Sequence, residues 1–344
     1  MTSARLHIAV ELIEAIGEYL TAGGYDAGLF YQSQGLDPET AAGNGYVDFK
    51  WFSQLLDAAA ALTGDHYIGL KVGENFLARH WGRLGYLIMA GDNGMEGVQY
   101  LQRFASIVTN ALEMRWHSDA TTLTCEFRLL DAAASRHVVD YFVSSSLSLS
   151  RANADATMHY HEVAFQHGGG PDPHFYQSFL QTRCRFQQPA NAVTVELAGL
   201  DKASNFRDPR LKKILEQHAA QVLSELAASD QLLEQVQRTI LEQLPQGAPT
   251  LGQVAARLQQ PERTLQRRLA GHSVNFQELV DEVRRRLALE YMRNDYNLLD
   301  IAMMLGYSEQ SAFHRAFKRW TGSTPSRYRR DQAAGSPGDN AGGT

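Results

Sequence analysis

The sequence contains few cysteines and no long apolar run, and both absences exclude classes of protein. Only Cys125 and Cys184 occur in 344 residues, too few for the disulfide framework of a small secreted domain. No stretch of about 18 or more apolar residues is present, as a transmembrane helix would need. Glu11, Glu14 and Glu18 interrupt the apolar residues near the start, which is untypical of a signal peptide. We therefore expect a cytoplasmic protein without a membrane partner.

Basic residues are fewer than acidic ones, 32 against 38, so the formal net charge of the chain is −6. This average by itself argues against a nucleic-acid partner, but the charge is distributed unevenly. Residues 1–247 hold 18 basic and 28 acidic side chains, whereas residues 248–330 hold 14 basic and 8 acidic ones, all but Lys318 of the basic ones being arginine. An acidic body with a basic C-terminal module points to a nucleic-acid or membrane partner.

Length and composition predict two folded domains. At roughly 100–200 residues per domain the chain is long enough for two, and 44% hydrophobic residues supply the apolar material for their cores. Helical periodicity at residues 5–20 and later segments, together with a hairpin pattern at 112–130, predicts a mixed α/β N-terminal domain with a small sheet of four or more strands.

A long helical pattern at 209–244 separates this part from the basic module. Asp208 can cap the helix, and Pro209 suits its first position. A Pro/Gly cluster at 245–249 ends the helix and is typical of a linker. The predicted fold class is α+β. We expect a mixed α/β N-terminal domain at 1–208, a helical connector with its linker at 209–247, a basic all-α domain at 248–330 and a disordered tail at 331–344.

A helix–turn–helix pattern lies at 250–271. Thr250 can cap its first helix, and Pro261 opens the second helix at a position where the missing N–H does no harm. Leu265 and Leu269 recur at helical spacing and are predicted to face inward. The candidate DNA-contacting side chains that remain outward are Arg263, Gln266, Arg267 and Arg268.

The pattern recurs at 297–322. Gly306 stands at the turn, where we expect a positive φ. Phe313, Phe317 and Trp320 have the spacing i, i+4, i+7 and predict the inner face of the second helix. The side chains left outward are Glu309, Gln310, Ser311, His314, Arg315, Lys318 and Arg319, and all but Arg319 are candidate DNA contacts.

One rigid helix is predicted to hold the two patterns apart. The 20 residues at 275–294 are strong helix formers and would span roughly 30 Å at 1.5 Å per residue. Successive major-groove faces on one side of B-DNA are about 34 Å apart. A single chain can therefore read two adjacent major grooves without dimerising.

The outward residue types suit this task. Arginine bonds bidentately to guanine and glutamine to adenine, each worth about 1–3 kcal/mol of discrimination. The other basic side chains can meet phosphates and fix the register. A solvated helix face is the alternative interpretation of such a charge run, but the duplicated motif and its spacing favour DNA.

The segments RTLQRRLAG (263–271) and IAMMLGYSEQSAFHRAFKRWTGSTPSRYR (301–329) resemble the DNA-binding domain of AraC-type transcriptional regulators. The resemblance implies that the first recognition helix faces bases with Arg263, Gln266 and Arg267. It implies the same role in the second recognition helix for Glu309, Gln310, Ser311, His314 and Arg315. The partners that it implies are double-stranded promoter DNA and RNA polymerase.

Three N-terminal segments resemble the arabinose-binding-type sensor domain found in the ornithine-utilisation-regulator branch of this family. They are LGYLIMAGDNGMEGVQYLQRF (84–104), HEVAFQHGGGPDPHFYQSFLQTRCRF (161–186) and DPRLKKILEQHAAQVLSEL (208–226). This resemblance implies a domain that senses a small-molecule effector, forms a homodimer, or does both. It does not name the effector.

An aromatic-rich region supplies our candidate effector pocket, namely Tyr86, Tyr100 and Phe104. Aromatic residues at helical spacing are more often plain core, and this remains the alternative interpretation. His159 and His161 would share one strand face, but no carboxylate or cysteine completes a ligand spacing, so no metal site is predicted.

The two cysteines have apolar, strand-like neighbours. We interpret Cys125 and Cys184 as buried small hydrophobic residues, with a redox sensor as the alternative.

We predict a sequence-specific DNA-binding transcriptional regulator, controlled by a small molecule that prefers one state of the N-terminal domain. It would act in the bacterial cytoplasm, at the nucleoid when bound to DNA. One alternative is a constitutive regulator whose N-terminal domain only dimerises, which a filled core without a cavity would favour. Another is an enzyme fused to a DNA-binding module. No G-x-S-x-G, H-E-x-x-H or phosphate-binding motif is present, so we predict no catalytic residue and no cofactor.

Overall fold

A computed structural model describes residues 6–35, 45–153, 159–271, 274–294 and 296–334. The chain divides into two compact units, the first ending at Leu226 and the second beginning at Ala227. The first unit combines helices with sheets and the second is helical. The predicted α+β class is therefore confirmed.

The first unit places helices before, between and after the strands of its main sheet. Its helices are α1 (Glu11–Ala22), α2 (Ala27–Ser33), α3 (Phe49–Thr63), α4 (Ile68–Glu74), α5 (Gly82–Ala90), α6 (Gly94–Phe104), α7 (Arg136–Asn153), α8 (Pro173–Leu180) and α9 (Leu197–Leu200). Its strands are β1 (His7–Ala9), β2 (Tyr46–Asp48), β3 (Leu112–Ser118), β4 (Thr122–Leu129), β5 (Tyr160–Ala164), β6 (Cys184–Arg185) and β7 (Asn191–Glu196). One-turn 3₁₀ helices lie at Ala78–Trp81 and Ala105–Ile107.

The helix predicted at residues 5–20 begins late. Strand β1 precedes α1 and pairs antiparallel with β2, with Ile8 opposite Val47. Ala9 N–H also donates to Val108 O at 2.7 Å. These hydrogen bonds come from segments distant in sequence, and such tertiary pairing overrides the local helical pattern.

The main sheet has the strand order β3-β4-β7-β5-β6, and every pairing is antiparallel except β5 with β6. Side chains alternate between the faces of each strand. The register places Met114 opposite Phe127, and Cys125 opposite both Trp116 and Val193, on one apolar face. The opposite face carries polar side chains such as Glu113, Arg115, Thr124, Glu126 and Thr194. One face of the sheet thus packs against helices, and the other face is accessible to solvent.

Helices α4 and α7 approach each other closely in the first unit. A Cβ atom at Gly69 would lie 2.2 Å from the carbonyl oxygen of His137, so only glycine fits there. Ser144 Oγ donates to Leu70 O at 2.7 Å across the same contact. Small residues therefore bring the two helix backbones together.

Helix α10 (Pro209–Gln243) crosses the division between the units. Asp208 caps it as predicted, because its carboxylate accepts from the N–H groups of Arg210 and Leu211. Leu215 and Leu223 pack against the first core, whereas the second core includes Leu232, Val236, Ile240 and Leu244. The residues predicted as a separate connector are thus shared between the two units.

The second unit begins within α10 and continues through a series of short helices around one core. These are α11 (Leu251–Arg257), α12 (Glu262–Gly271), α13 (Phe276–Arg293), α14 (Leu298–Met304), α15 (Gln310–Thr321) and α16 (Pro325–Ala334). A 3₁₀ turn at Leu244–Gln246 precedes α11. Helix α16 extends into the predicted disordered tail, and residues 335–344 of that tail lie outside the described residues.

Candidate functional site

The first candidate recognition helix is α12. Thr250 caps the preceding helix, α11, and exchanges hydrogen bonds with Gln253 in a capping box. The carbonyl oxygen of Pro261 accepts the N–H groups of Thr264 and Leu265, so the helix starts where proline was expected to open it. Leu265 and Leu269 are buried in the core.

The four candidate contacts on α12 are all exposed, and three of them share one face. Arg263, Gln266 and Arg267 follow the i, i+3, i+4 spacing that places side chains side by side. Arg268 projects to the side, where Nη1 donates to Gln260 Oε1 at 2.9 Å. The face available to a ligand therefore combines two guanidinium groups with one amide.

The second candidate recognition helix is α15, which buries Phe313 and Phe317 as predicted, with Trp320 half-buried. Ser311, Arg315 and Lys318 are exposed on the opposite face with His314 half-buried among them.

The remaining candidates lie at the start of this helix. The exposed N-cap residue Glu309 accepts a hydrogen bond at Oε2 from Ser311 Oγ at 3.1 Å. Half-buried Gln310 places Nε2 at 3.4 Å from Nε2 of His314. Polar groups therefore lead this helix, and in helix–turn–helix proteins the N-terminal residues of the recognition helix are those that contact base edges.

Arg319 belongs to another face of α15. Its Nη2 lies 2.8 Å from Oδ2 of Asp281 on α13, so it joins the recognition helix to the linker helix. In the described part of the chain, by contrast, Arg263, Arg267 and Arg315 form no ion pair with a carboxylate. Their positive charges remain available to phosphates or bases.

Helix α13 connects the two motifs. Its 18 residues give a length of about 27 Å at 1.5 Å per residue, close to the length predicted. Arg284, near its middle, is buried, and its guanidinium carbon lies 4.2 Å from the ring centre of Tyr307. Arg284 therefore contributes to the net basic charge of the module, but its side chain packs inside the module and is not exposed on its surface.

The turn of the second motif depends on Gly306, whose φ of 72° is positive, as predicted. A Cβ atom here would lie 2.4 Å from the carbonyl oxygen of Leu244. The residue thus needs both a left-handed backbone and close contact with the segment that follows α10.

A pocket of about 180 Å³ lies inside the first unit. Helices α5, α6 and α7 form one side of it, and the apolar face of the main sheet forms the other. The lining side chains include Leu84, Val98, Met114, Leu123, Phe142 and Val195. The core of this unit is therefore not completely filled.

Polar side chains gather where α9 leads into the loop before α10. Asn153, Lys202 and Ser204 line the pocket there. Ser204 Oγ lies 2.6 Å from Asn153 Oδ1 and 2.8 Å from Met89 O. The residues that follow Ser204 continue directly into α10.

The three predicted effector contacts lie beside this pocket rather than along it. Tyr86 is exposed on α5. Tyr100 on α6 is buried and donates its hydroxyl hydrogen to Glu96 Oε1 at 3.0 Å, and Phe104 is fully buried. The same two helices line the pocket through other positions, among them Ile88 and Leu101.

An ionic cluster fixes the start of α10. Lys212 Nζ lies 2.7 Å from Asp92 Oδ2 and 3.1 Å from Glu96 Oε1, and Arg207 Nε lies 2.5 Å from Asp92 Oδ1. Hydrogen bonds from Lys212 and Arg207 hold the pKa of the Asp92 carboxyl below its usual range. The loop before α6 is thereby joined to α10.

Neither cysteine has the environment of a reactive thiol. Cys125 lines the pocket, Cys184 lies on β6, and both are half-buried. Burial raises the pKa of each thiol to about 12, so both remain protonated near neutral pH.

No group of three or more histidine, cysteine, aspartate or glutamate side chains suited to a metal ion occurs among the described residues. His159 and His161 therefore belong to no such group among these residues. No helix in the described ranges is long and apolar enough to cross a bilayer.

Two family descriptions match the chain. Residues 24–203 match the arabinose-binding domain of AraC transcription regulators, and residues 254–331 match a helix-turn-helix domain. The first match lies within the unit that holds the pocket, and the second covers both candidate recognition helices.

Individual relatives cover the chain to different extents. The ornithine utilization regulator of Pseudomonas aeruginosa is 27% identical over 327 residues, or 93% of this chain and 94% of that protein. The HTH-type transcriptional regulator VirS of Mycobacterium tuberculosis is 36% identical over 153 residues, or 44% of this chain and 42% of VirS. The crystal structure of the transcriptional regulator CdpR from Pseudomonas aeruginosa is 19% identical and aligns with a TM-score of 0.44, covering 93% of this chain and 98% of CdpR.

Proposed function

The chain belongs to the family of AraC transcription regulators with an arabinose-binding N-terminal domain, and from this premise we propose a specific mode of action. The protein binds promoter DNA sequence-specifically through α12 and α15. A small molecule held in the pocket of the first unit controls this binding.

The observation that carries the DNA-binding proposal is the pair of exposed polar faces at the two motifs. Arg263, Gln266 and Arg267 form one face, and Arg315 with its neighbours forms the other. A buried apolar face anchors each helix in one shared core. Such a helix presents its outer side chains to base edges in the major groove.

Base and phosphate contacts divide among these side chains by chemistry. Arg267 and Arg315 can bond bidentately to guanine, and Gln266 can bond to adenine. Lys318, near the end of α15, suits a phosphate as a flexible point charge. The bases thus set specificity, while phosphate contacts fix the register.

The presence of the pocket favours control by an effector over the alternative of a constitutive regulator, for which a filled core was expected. The segment Leu200–Ser204 both contributes to its wall and leads into α10, and Lys212 ties the start of that helix to Asp92 and Glu96. A ligand that favours one arrangement of this segment would shift the position of α10, and through it the population of DNA-binding-competent protein.

Two further partners belong to this proposal. Two copies associate, which is supported by exposed apolar side chains, namely Phe206 in the loop before α10 and Leu211 and Ile214 in the first turns of that helix. The DNA-bound protein contacts RNA polymerase at the nucleoid, as expected of a regulator rather than an enzyme.

Genome-wide mapping of bound DNA tests the function. We expect a small number of sites with a shared motif that spans two adjacent major grooves, and footprinting of the purified protein should protect the same sequence. Binding without any shared motif would contradict the sequence-specific function. Unchanged DNA affinity and transcription with every tested ligand would contradict effector control alone.

A further inference from the structure

The sheet side of the pocket in the first unit is a continuous apolar surface. Side chains from three neighbouring strands point to one face and line the pocket, namely Met114, Trp116, Leu123, Phe127 and Val195. Because side chains alternate along each strand, the polar residues between them point away from the pocket. A ligand in the pocket therefore meets apolar side chains along the sheet.

The described lining of the pocket offers no buried charge to a ligand. It contains no carboxylate, so a cation would lack a counter-charge. Its one charged residue, Lys202, is exposed and already interacts with another group of the protein, so it gives an anion no buried partner either. Cys125 and Tyr160 are neutral, because burial raises the pKa of each to about 12. Since an ionised group is costly to bury without a partner, we expect the ligand to be uncharged.

Most hydroxyl groups of the lining already form hydrogen bonds within the protein. Thr109 Oγ1 donates to a backbone carbonyl oxygen at 2.7 Å, and Ser204 Oγ donates to another at 2.8 Å. Ser150 and Tyr160 are hydrogen-bonded to each other. A pentose would bury several hydroxyl groups against apolar side chains, and buried polar groups without partners are costly. The pocket therefore suits a ligand with few polar groups.

Ser146 is the exception among the hydroxyl groups of the described lining. It is half-buried on α7, and its Oγ forms no hydrogen bond with the described residues. A serine inside a helix often donates to the carbonyl oxygen four residues earlier. Here that oxygen belongs to Phe142, and it accepts from Ser145 Oγ at 3.2 Å instead. The Ser146 hydroxyl can therefore donate to, or accept from, one polar group of a ligand.

The volume limits the size of the ligand. A cavity of about 150 Å³ lined by apolar side chains holds benzene. The volume of about 180 Å³ therefore suits a ligand of about six to ten carbons.

We infer that the pocket binds an uncharged, mainly hydrocarbon molecule of about six to ten carbons with one hydrogen-bonding oxygen. Its hydrocarbon lies against the sheet face and its oxygen bonds to Ser146. This inference rests on the proposed function, since it names the ligand class of the same effector site. Arabinose and ornithine, to which the names of the family and of a relative refer, belong to other classes, because one carries several hydroxyl groups and the other is charged.

Binding of matched ligands to the full-length protein provides the first test. Trp81 and Trp116 line the pocket, so their fluorescence reports occupancy without a label, and calorimetry gives the affinity independently. At pH 7 we expect 3-phenylpropan-1-ol to bind at least about tenfold more tightly than 3-phenylpropanoate or 3-phenylpropylamine, which carry a charge on the same carbon skeleton. Arabinose and ornithine should leave both signals unchanged.

The length of the hydrocarbon should also matter. From benzyl alcohol to 3-phenylpropan-1-ol, affinity should rise about threefold to fourfold per added methylene. Equal or tighter binding of the carboxylate, the amine, arabinose or ornithine would overturn the inference.

A serine variant tests the position of the oxygen. Ser146→Ala should weaken 3-phenylpropan-1-ol about twofold to tenfold, as expected for the loss of one hydrogen bond. Propylbenzene, which has the same hydrocarbon without the oxygen, should bind as it does to the parent protein. Ser148→Ala is the matched control, because Ser148 lies on the same helix but its hydroxyl donates to Glu74 O at 2.8 Å, outside the pocket lining. An unchanged ratio of the two affinities in Ser146→Ala would refute the assignment of the oxygen to Ser146.

A larger side chain tests the position of the hydrocarbon. Val98 lines the pocket from α6, so Val98→Phe should weaken 3-phenylpropan-1-ol and propylbenzene alike by filling the space. Thermal unfolding without ligand shows first whether the variant folds, and Val98→Leu is the smaller step to use if Val98→Phe does not. Parent-like affinity for both ligands in a folded variant would place the binding outside this pocket and overturn the inference.

Measuring DNA binding separately distinguishes failure of this inference from failure of the proposed function. If 3-phenylpropan-1-ol binds at the pocket but leaves DNA affinity unchanged, the ligand class stands and effector control fails. If DNA affinity responds to ornithine or arabinose and the uncharged ligands do not bind, effector control stands and the ligand class is wrong.

Discussion

Arg284 Nε donates a hydrogen bond of 2.9 Å to the carbonyl oxygen of Leu305, inside the second unit. Its Nη2 donates to Gly306 O at 3.2 Å, and its guanidinium lies over the ring of Tyr307. Leu305 and Gly306 end the first helix of the second motif, where carbonyl groups lack helical partners. One side chain of the linker helix thus satisfies the turn that positions α15.

Arg284→Met should destabilise the second unit, because it keeps much of the apolar stem but leaves two carbonyl groups without a charged donor. We expect a loss of about 2–4 kcal/mol in unfolding free energy, since a hydrogen bond to a charged group is worth about 1.5–3 kcal/mol. Urea denaturation of both variants measures it. Arg285→Met, at an exposed position of the same helix, should change stability by less than about 0.5 kcal/mol. Equal stability of the two variants would contradict the structural role of Arg284.

Local periodicity was sufficient to predict the two motifs. Phe313 and Phe317 have a helical spacing, and Gly306 marks the turn, so the buried and exposed faces of α15 could be assigned from the sequence alone. These features depend on residues only a few positions apart.

The role of Arg284 and the position of the pocket could not be predicted in this way. The partners of Arg284 lie 21 and 22 residues further along the chain, and its position in the sequence resembles that of exposed Arg285. The pocket depends on which face of β3 meets which helix. Tyr86, Tyr100 and Phe104 lie on helices that line the pocket through other residues, because the rotation of a helix about its axis is set by packing with distant segments.

Phe317→Ala should unfold or strongly destabilise the second unit. Phe317 is fully buried, with its ring centre 5.7 Å from that of Phe313 and 5.5 Å from that of Tyr328. Truncation of such a side chain leaves a cavity and costs about 3–5 kcal/mol. Thermal unfolding measures the effect, and Phe317→Leu should lose less than half as much because more of the volume is kept. Parent-like stability of Phe317→Ala would show that the ring is not part of the core.

Asp65 should make the stability of the first unit depend on pH in the acid range. Burial opposes its ionisation, but hydrogen bonds from Lys71, the Tyr67 N–H and the Tyr19 hydroxyl lower its pKa below the ordinary 3.8. The carboxylate therefore stabilises the fold above about pH 4, and this contribution is lost as the pH falls through the lowered pKa.

Comparison of the parent protein with Asp65→Asn tests this dependence. We expect the variant to be less stable at pH 7, and the difference between the two proteins to shrink as the pH falls from 5 to 2.5. Urea denaturation across this range measures both curves. A difference that stays constant with pH would exclude the ionised carboxylate as its source.

Arg267→Ala and Arg315→Ala should each reduce sequence-specific DNA binding by about 1–3 kcal/mol while the fold stays intact. Both side chains are exposed on the recognition helices, so circular dichroism should remain that of the parent protein. Titration of the mapped site and of a scrambled duplex measures the specificity. Arg103→Ala, at an exposed position in the first unit, is the control. If a variant discriminates between the two duplexes as well as the parent does, that arginine does not read a base.

Lys318→Ala should weaken binding to the mapped site and the scrambled duplex alike, because a phosphate contact carries no sequence information. Each phosphate that is neutralised releases counterions, so the slope of log affinity against log salt should become shallower by about one. The neighbouring Arg319→Ala is the matched control. Arg319 is paired with Asp281 at 2.8 Å, so its loss should leave the slope unchanged. Equal slopes for the parent and Lys318→Ala would place Lys318 away from the phosphates, whereas a shallower slope in Arg319→Ala would mean that its pairing with Asp281 gives way to the DNA.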